Sequence, residues 1–242
     1  MTDLGTAAEA RQDAENLQEL LSTVVHDLSA PLRTLRGFSD LLKDTYPEGL
    51  DDKQLHLLSR IHHAATTMQT KLSTLTDFQH VTRGELEREP SSTQQIFDES
   101  LKLLTNSVEP GVFILSEDCP VLQVDRRTFS AALMELLKNA VAMIALDGEG
   151  AHHPRAISIT PYQPAGGEPP GQGLVVTDTG LGITRQDPDA LFKLFRRGNP
   201  ATGQVGVGLT LARWIARRHG GDCWIRQGSP CAVVLLASLT SP

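Results

Sequence analysis

The stretch "VVHDLSAPLR", residues 24–33, puts a histidine beside a carboxylate, His26 and Asp27, with Pro31 five residues after the histidine. An imidazole in that setting is a buried filler, a metal ligand, or a group held out to react. A metal would need further ligands one helical turn away, and Ser29 and Ala30 supply none. Asp27 can accept the proton of one ring nitrogen and leave the lone pair of the other free, which is what a nucleophilic imidazole requires. Pro31 removes a backbone hydrogen bond and bends a helix at a cost of about 3 kcal/mol. A local rule broken beside a reactive pair marks a functional site. The pairs His62–His63 and His152–His153 are adjacent in sequence, cannot face one site, and read as surface residues.

The elements that position His26 follow from periodicity. Ala7, Ala14, Leu21, Leu28, Leu35 and Leu42 recur every seven residues, and Ala10, Leu17, Val24, Pro31 and Phe38 follow each by three. This a/d seam predicts a long helix packed on partner helices. With Leu21 at position a, His26 falls at f, opposite the seam, so its ring projects outward. "TYPEGLDD" breaks the helix, and Asp51 or Asp52 can cap the next. The second helix repeats the pattern with Leu58, Ala65 and Leu72, then Ile61, Met68 and Leu75. A hairpin with so narrow an apolar stripe cannot bury itself, so a homodimeric four-helix bundle is expected.

"RGELEREPSSTQQ" is charged and then Ser/Pro-rich, as at a domain boundary. The expected division is 1–88 for the helical hairpin and 89–242 for a second domain. There "GVFIL" and "VLQV" read as strands, and residues 125–146 as an amphipathic helix with Asp125 as N-cap. "AISIT" and "GLVVTD" read as paired strands joined by a solvated Pro/Gly-rich loop, "PYQPAGGEPPGQG". A helix from "VGLTLARWIARRHGG" ends on Gly220–Gly221, and "DCWIRQ" and "CAVVLLASL" supply two last strands. The pattern is that of an α/β sandwich.

A length of 242 residues fits two modest domains. The net charge of -7 gives no electrostatic reason to expect nucleic acid or an anionic membrane as partner. No apolar run approaches the roughly 20 residues needed to span a bilayer, and the first residues are too polar for a signal peptide. Cys119, Cys223 and Cys231 lack metal-ligand spacing and read as reduced thiols, so a cytoplasmic location is expected.

"HDLSAP" resembles the phosphoacceptor box of two-component sensor histidine kinases, in the version seen in bacteriophytochrome-like and related kinases. Four later segments resemble the family's remaining boxes in order. In "ELLKNA", the asparagine box, the resemblance implies that Asn139 coordinates Mg²⁺, for which an amide oxygen is a suitable hard ligand. In "DTGLGI" it implies that Asp178 accepts a hydrogen bond from the adenine amino group, with Gly180 and Gly182 letting the backbone pass close to the base. "LFKLFRR" corresponds to the phenylalanine box, with Phe192 and Phe195 anchoring a mobile lid. "GVGLTLAR" corresponds to a glycine box in which Gly206 and Gly208 open a helix whose N-terminal amides hold phosphates. Each segment alone is commonplace, whereas all four in order behind the histidine box are not.

The resemblance implies a transmitter module: a helical hairpin forming a dimeric four-helix bundle, then an α/β sandwich of the histidine kinase/gyrase ATP-binding type. It implies transfer of the ATP γ-phosphoryl to His26 with Asp27 as general base, and onward to an aspartate of a response regulator. A sensor domain upstream or on a partner protein would supply the signal. Five departures bear on ATP affinity and phosphatase activity. Glu135 stands in place of the box's first asparagine, and Ala142 replaces a frequent cation for which Lys138 or Arg197 would compensate. Thr210 replaces the usual third glycine of the second glycine box, the last glycine-rich turn is truncated to "RQGSP", and Ala30 stands where phosphatases often carry Thr or Asn. These departures motivate one rival, a pseudokinase scaffold. The spacing of Glu135 and Asn139 motivates another, a gyrase-like ATPase.

Overall fold

The computed structural model describes residues 3–46, 49–82, 84–104, 112–146, 155–180, 182, 187–196, 206–226 and 230–238, with side chains of the first helix from Thr23 onward. It divides into two compact units, Met1–Arg83 and Gly84–Pro242.

The first unit is a hairpin of α1 (Asp3–Thr45) and α2 (Asp52–Thr82). Helix α1 continues through Pro31, whose missing N–H leaves the Asp27 carbonyl without its helical donor. Asp51 starts α2 as a reciprocal cap: its carboxylate accepts from the Gln54 amide at 2.8 Å, and its own amide donates to the Gln54 side chain at 2.9 Å. The row that α1 buries against α2 is Val25, Leu32 and Ser39, which meets Ala65 and Leu72. This is heptad position e. The anticipated a/d row instead lies open in the single chain, with Leu28, Leu35 and Phe38 37%, 50% and 60% exposed. A helix with two neighbours needs a stripe wider than a/d, and the sequence pattern showed only the strip that α2 leaves uncovered. Heptad residues before Thr23 lie outside the described side chains.

The second unit begins with β1 (Glu89–Ser92) and α3 (Thr93–Leu103), where the sequence suggested only a boundary. Ser92 and Gln95 form a capping box for α3, a signature visible in "STQQ". Next come β2 (Phe113–Leu115), β3 (Val121–Val124), α4 (Arg126–Leu146), β4 (Ile157–Pro161) and β5 (Gln172–Asp178). A short 3₁₀ turn (Pro188–Phe192), α5 (Gly208–Arg218), β6 (Cys223–Arg226) and β7 (Cys231–Ser238) complete it. Five strands form one sheet in the order β2-β4-β5-β7-β6, with β2 and β4 parallel and the other neighbours antiparallel. Strand β3 pairs with β1 in a separate ribbon. Residues 87 and 88 run with this unit: the Glu87 amide donates to Asp125, and Arg88 to the Arg218 carbonyl.

Among the described residues, Arg126–Ala145 is long and apolar enough by composition to cross a membrane, but it is a core helix here. Leu133, Leu136 and Leu137 are buried in this layered fold. Asp125 caps α4 as expected, accepting from the Thr128 amide at 2.9 Å. Gly220, at φ 88°, ends α5 in the left-handed conformation.

Two surface expectations are refined. Residues 163–167, 169 and 170 are exposed, but the connector is anchored: Tyr162 is buried, and the Glu168 carboxylate binds Arg226 Nη2 at 2.5 Å and Trp224 Nε1 at 3.0 Å. The Arg226 guanidinium, the Trp224 indole and the Ala165 amide hold the Glu168 pKa down to about 2 despite desolvation. His62 is not a plain surface residue either, since its Nδ1 reaches Asp40 of α1 at 2.9 Å and buried Ser39 at 3.4 Å. His152 and His153 lie outside the described residues.

Candidate phosphoacceptor and nucleotide sites

On the hairpin, Val25 turns inward against α2, and its neighbour His26 therefore turns out. The His26 side chain is 88% exposed and that of Asp27 69%. Asp27 Oδ1 lies 3.2 Å from His26 Nδ1, so with the ring proton on Nδ1 the Nε2 lone pair faces solvent. The ring is available to an incoming electrophile.

On the second unit the sequence-identified residues converge along one side of α4. Glu135, Lys138 and Asn139 occupy successive positions of a helical turn. Glu135 is 13% exposed, and Lys138 Nζ lies 3.3 Å from its Oε1. Gly208, the first residue of α5, packs against this turn: a Cβ on it would meet Glu135 Oε2 at 2.5 Å and Asn139 Nδ2 at 3.5 Å. One turn further along α4, Gly180 abuts the backbone, where an added Cβ would meet the Met143 carbonyl carbon at 2.6 Å. Close approach at both glycines brings the end of β5 and the start of α5 to the Glu135–Asn139–Met143 side of the helix, a span of about 12 Å along its axis.

Asp178 closes β5, is 6% exposed, and accepts from the Gly180 amide at 3.0 Å. Burial pushes its pKa above the ordinary aspartate value, against that hydrogen bond. Cys231 pairs with it across β5–β7, and burial together with the Asp178 charge pushes the thiol up to about 11. Gly182 has φ 69°, left-handed backbone suited to glycine. Gly206, at φ 81°, accepts from the Phe195 amide at 2.7 Å. Phe192 is buried and Phe195 half-buried. Arg197 and the residues up to 205 lie outside the described residues, so the anticipated lid and the compensating role of Arg197 do too. Thr210, which stands where the family usually has a third glycine, donates its hydroxyl to the Phe192 carbonyl at 2.8 Å. Sequence reasoning missed this contact and Arg213, whose guanidinium lies 4.8 Å from the Phe192 ring. Their spacing on an amphipathic helix gave no signal.

One unit thus carries an exposed imidazole and the other a helix bordered by two glycines, and comparison with known proteins gives the family. The family model described as "His Kinase A (phospho-acceptor) domain" matches residues 16–84. That described as "Histidine kinase-, DNA gyrase B-, and HSP90-like ATPase" matches residues 124–239. With both domains in this order, the chain belongs to the two-component sensor histidine kinases and is a transmitter module of that family.

Among curated proteins it is 29% identical over 231 residues to the methanogenesis regulatory histidine kinase FilI of Methanothrix harundinacea, covering 93% of this chain and 25% of that one. It is 25% identical over 224 residues to cyanobacterial phytochrome B of a Nostoc species, covering 90% of this chain and 29% of that one. The chain thus spans under a third of the length of these two relatives. The solved structure of the Acinetobacter baumannii histidine kinase AdeS shares its fold, with a TM-score of 0.55 at 19% identity, covering 89% of this chain and 98% of that one.

Proposed function

We propose that this chain is the working core of a cytoplasmic sensor kinase that moves the γ-phosphoryl group of ATP to His26 and then to an aspartate of a response regulator. The observation that carries the reading is His26 itself: 88% exposed, 3.2 Å from Asp27, and covalently joined to an ATPase-type domain. Asp27 holds the Nδ1 proton, so Nε2 can attack the γ-phosphorus as the bond to the departing ADP oxygen breaks. Phosphoryl transfer is largely positioning and charge stabilisation, so the catalytic domain has only to present ATP in line with that nitrogen.

Asp178 reads the adenine amino group, and Gly180 and Gly182 border the base. Gly206 and Gly208 bring the α5 amides to the phosphates. Glu135 Oε2 and the Asn139 amide group adjoin where Gly208 lacks a side chain, and a carboxylate with an amide whose oxygen is the hard donor suits Mg²⁺. The Asn139 amide oxygen would hold a Mg²⁺ ion there, and the ion would supply neutralising charge to the triphosphate. Lys138 adds positive charge at the rim.

The open row Leu28, Leu35 and Phe38 supports a homodimer, because a second copy would cover it to complete a four-helix bundle. An input domain, upstream or on a partner protein, would bias the bundle. Transfer to a receiver tests the reading. Chain labelled from ATP and freed of nucleotide should lose its label to a response-regulator receiver domain carrying its phosphoacceptor aspartate, and not to the Asp→Asn receiver. Label that stays on the chain with every receiver tried would oppose the proposal.

A further inference from the structure

Arg213 makes four contacts from α5 to three partners. Its Nε and Nη2 grip Asp222 at 3.0 and 3.4 Å, its Nη1 reaches Asp189 at 2.9 Å, and its guanidinium lies 4.8 Å from the Phe192 ring centroid. Asp222 alone would satisfy this cation, and Arg217 Nε already binds the same carboxylate at 3.0 Å. The extra reach to Asp189 therefore does something other than neutralise charge. Asp189 is 75% exposed, where an ion pair adds little to folding stability.

What that contact does is fix a location. Asp189 and Phe192 belong to the Pro188–Phe192 turn, and the Thr210 hydroxyl grips the same turn through the Phe192 carbonyl. Three residues on, the Phe195 amide donates to the Gly206 carbonyl, and the Arg196 carbonyl packs on Gly206, leaving no room for a side chain. Gly206 leads into Gly208, which touches Glu135 and Asn139. A continuous run of contacts thus joins Asp189 to the α4–α5 cleft.

We propose that Arg213 is a positioning residue for the phosphotransfer: it pins the Pro188–Phe192 turn to α5, and so sets the hydrogen-bonded pair of Phe195 amide and Gly206 carbonyl beside the phosphate end of the nucleotide site. The inference rests on the reading that ATP binds between α4 and α5. A planar fork is needed, because one guanidinium bridges two carboxylates and stacks on a ring, which a lysine ammonium cannot do.

The test compares Arg213→Met, Arg213→Lys, Asp189→Asn and the Arg213→Met/Asp189→Asn double variant with the full chain. Measured for each are kcat and KM for labelling from ATP, together with the melting temperature. Arg213→Met should fold, since Asp222 keeps Arg217 and the Cys223 amide. Its kcat should fall about tenfold with KM nearly unchanged, as misplacement of reacting groups predicts. Arg213→Lys should be intermediate. Asp189→Asn should lose about threefold in kcat at the parental melting temperature, and the double variant should be no slower than Arg213→Met. Parental kcat in Arg213→Met overturns the proposal, as does an Asp189→Asn effect that adds in full to Arg213→Met. If Arg213→Met does not fold, parental kcat in Asp189→Asn overturns it. A parent chain that neither binds ATP nor labels overturns the kinase reading and this inference together.

Discussion

Glu135 and Gly208 meet where α4 passes the start of α5, so closely that a methyl group on the glycine would stand 2.5 Å from Glu135 Oε2. The absent side chain is what leaves room beside Asn139. Gly208→Ala should fold, because the atom it displaces is the end of a flexible side chain and alanine is a better helix former. It should push the Glu135 carboxylate into the cleft and weaken ATP binding by about tenfold, equivalent to about 1.4 kcal/mol. Titration with a fluorescent ATP analogue checks this, and parental affinity would place the nucleotide away from the contact.

Asp178 carries a charge that folding penalises. Its folded pKa lies above the unfolded value, so its contribution favours folding at low pH and is lost as pH rises through the folded pKa. At neutral pH the ionised carboxylate is therefore a burden on stability, a cost that the proposed contact with adenine would explain. Asp178→Asn should melt at or above the parental temperature while binding adenine nucleotides about tenfold more weakly. A lower melting temperature with unchanged affinity would assign Asp178 a purely structural role.

His219 gives the catalytic domain an acid limit. It is 1% exposed, its Nδ1 lies 2.8 Å from the Ile215 carbonyl, and its Nε2 accepts the Asp125 amide proton at 3.1 Å. This arrangement requires the neutral ring. Burial lowers its pKa, helped by Arg88 and Arg218, while the Ile215 carbonyl and Asp125 act in the opposite sense. The unfolded chain, titrating near the ordinary value of about 6.5, then binds more protons than the native one. Stability should fall as pH drops below about 6.5 toward the depressed folded pKa. Melting curves of parent and His219→Gln between pH 7.5 and 5, roughly the range of a histidine's titration, should show a shallower decline in the variant.

Glu168 closes the 161–173 segment over the second face of the sheet. Because Arg226 and Trp224 depress its pKa to about 2, its contribution is present above the unfolded value and lost as pH falls through about 2. Glu168→Gln should destabilise the domain by about 2 kcal/mol at neutral pH, the scale of charge-assisted hydrogen bonds. Denaturant unfolding measures it. A loss below a few tenths of a kcal/mol would show that the segment is only draped there.

Local features were legible in the sequence. The outward turn of His26 followed from heptad phase, the Asp125 cap from residue type, and the opening of α5 from Gly206 and Gly208. Features that join distant residues were not. Glu168 meets Arg226 across 58 positions, and nothing in a Pro/Gly-rich stretch announces a paired, half-buried carboxylate. Likewise, the Val25–Leu32–Ser39 row escaped notice because Ser39 is polar and the leucine-rich row beside it dominated the pattern. Arg213 carries no distinguishing sequence signal, because its partners Asp189, Phe192 and Asp222 lie 24, 21 and 9 positions away.

The most direct measurement is the chemical fate of phosphate on His26. The full chain, incubated with γ-labelled ATP and Mg²⁺, should acquire label that acid removes and base does not, the signature of a phosphoramidate. His26→Gln should acquire none. In that variant, free phosphate should appear only slowly, and Glu135→Ala should not change this. Undiminished labelling of His26→Gln, or rapid phosphate release from it that Glu135→Ala abolishes, would contradict the account and mark the chain as an ATPase.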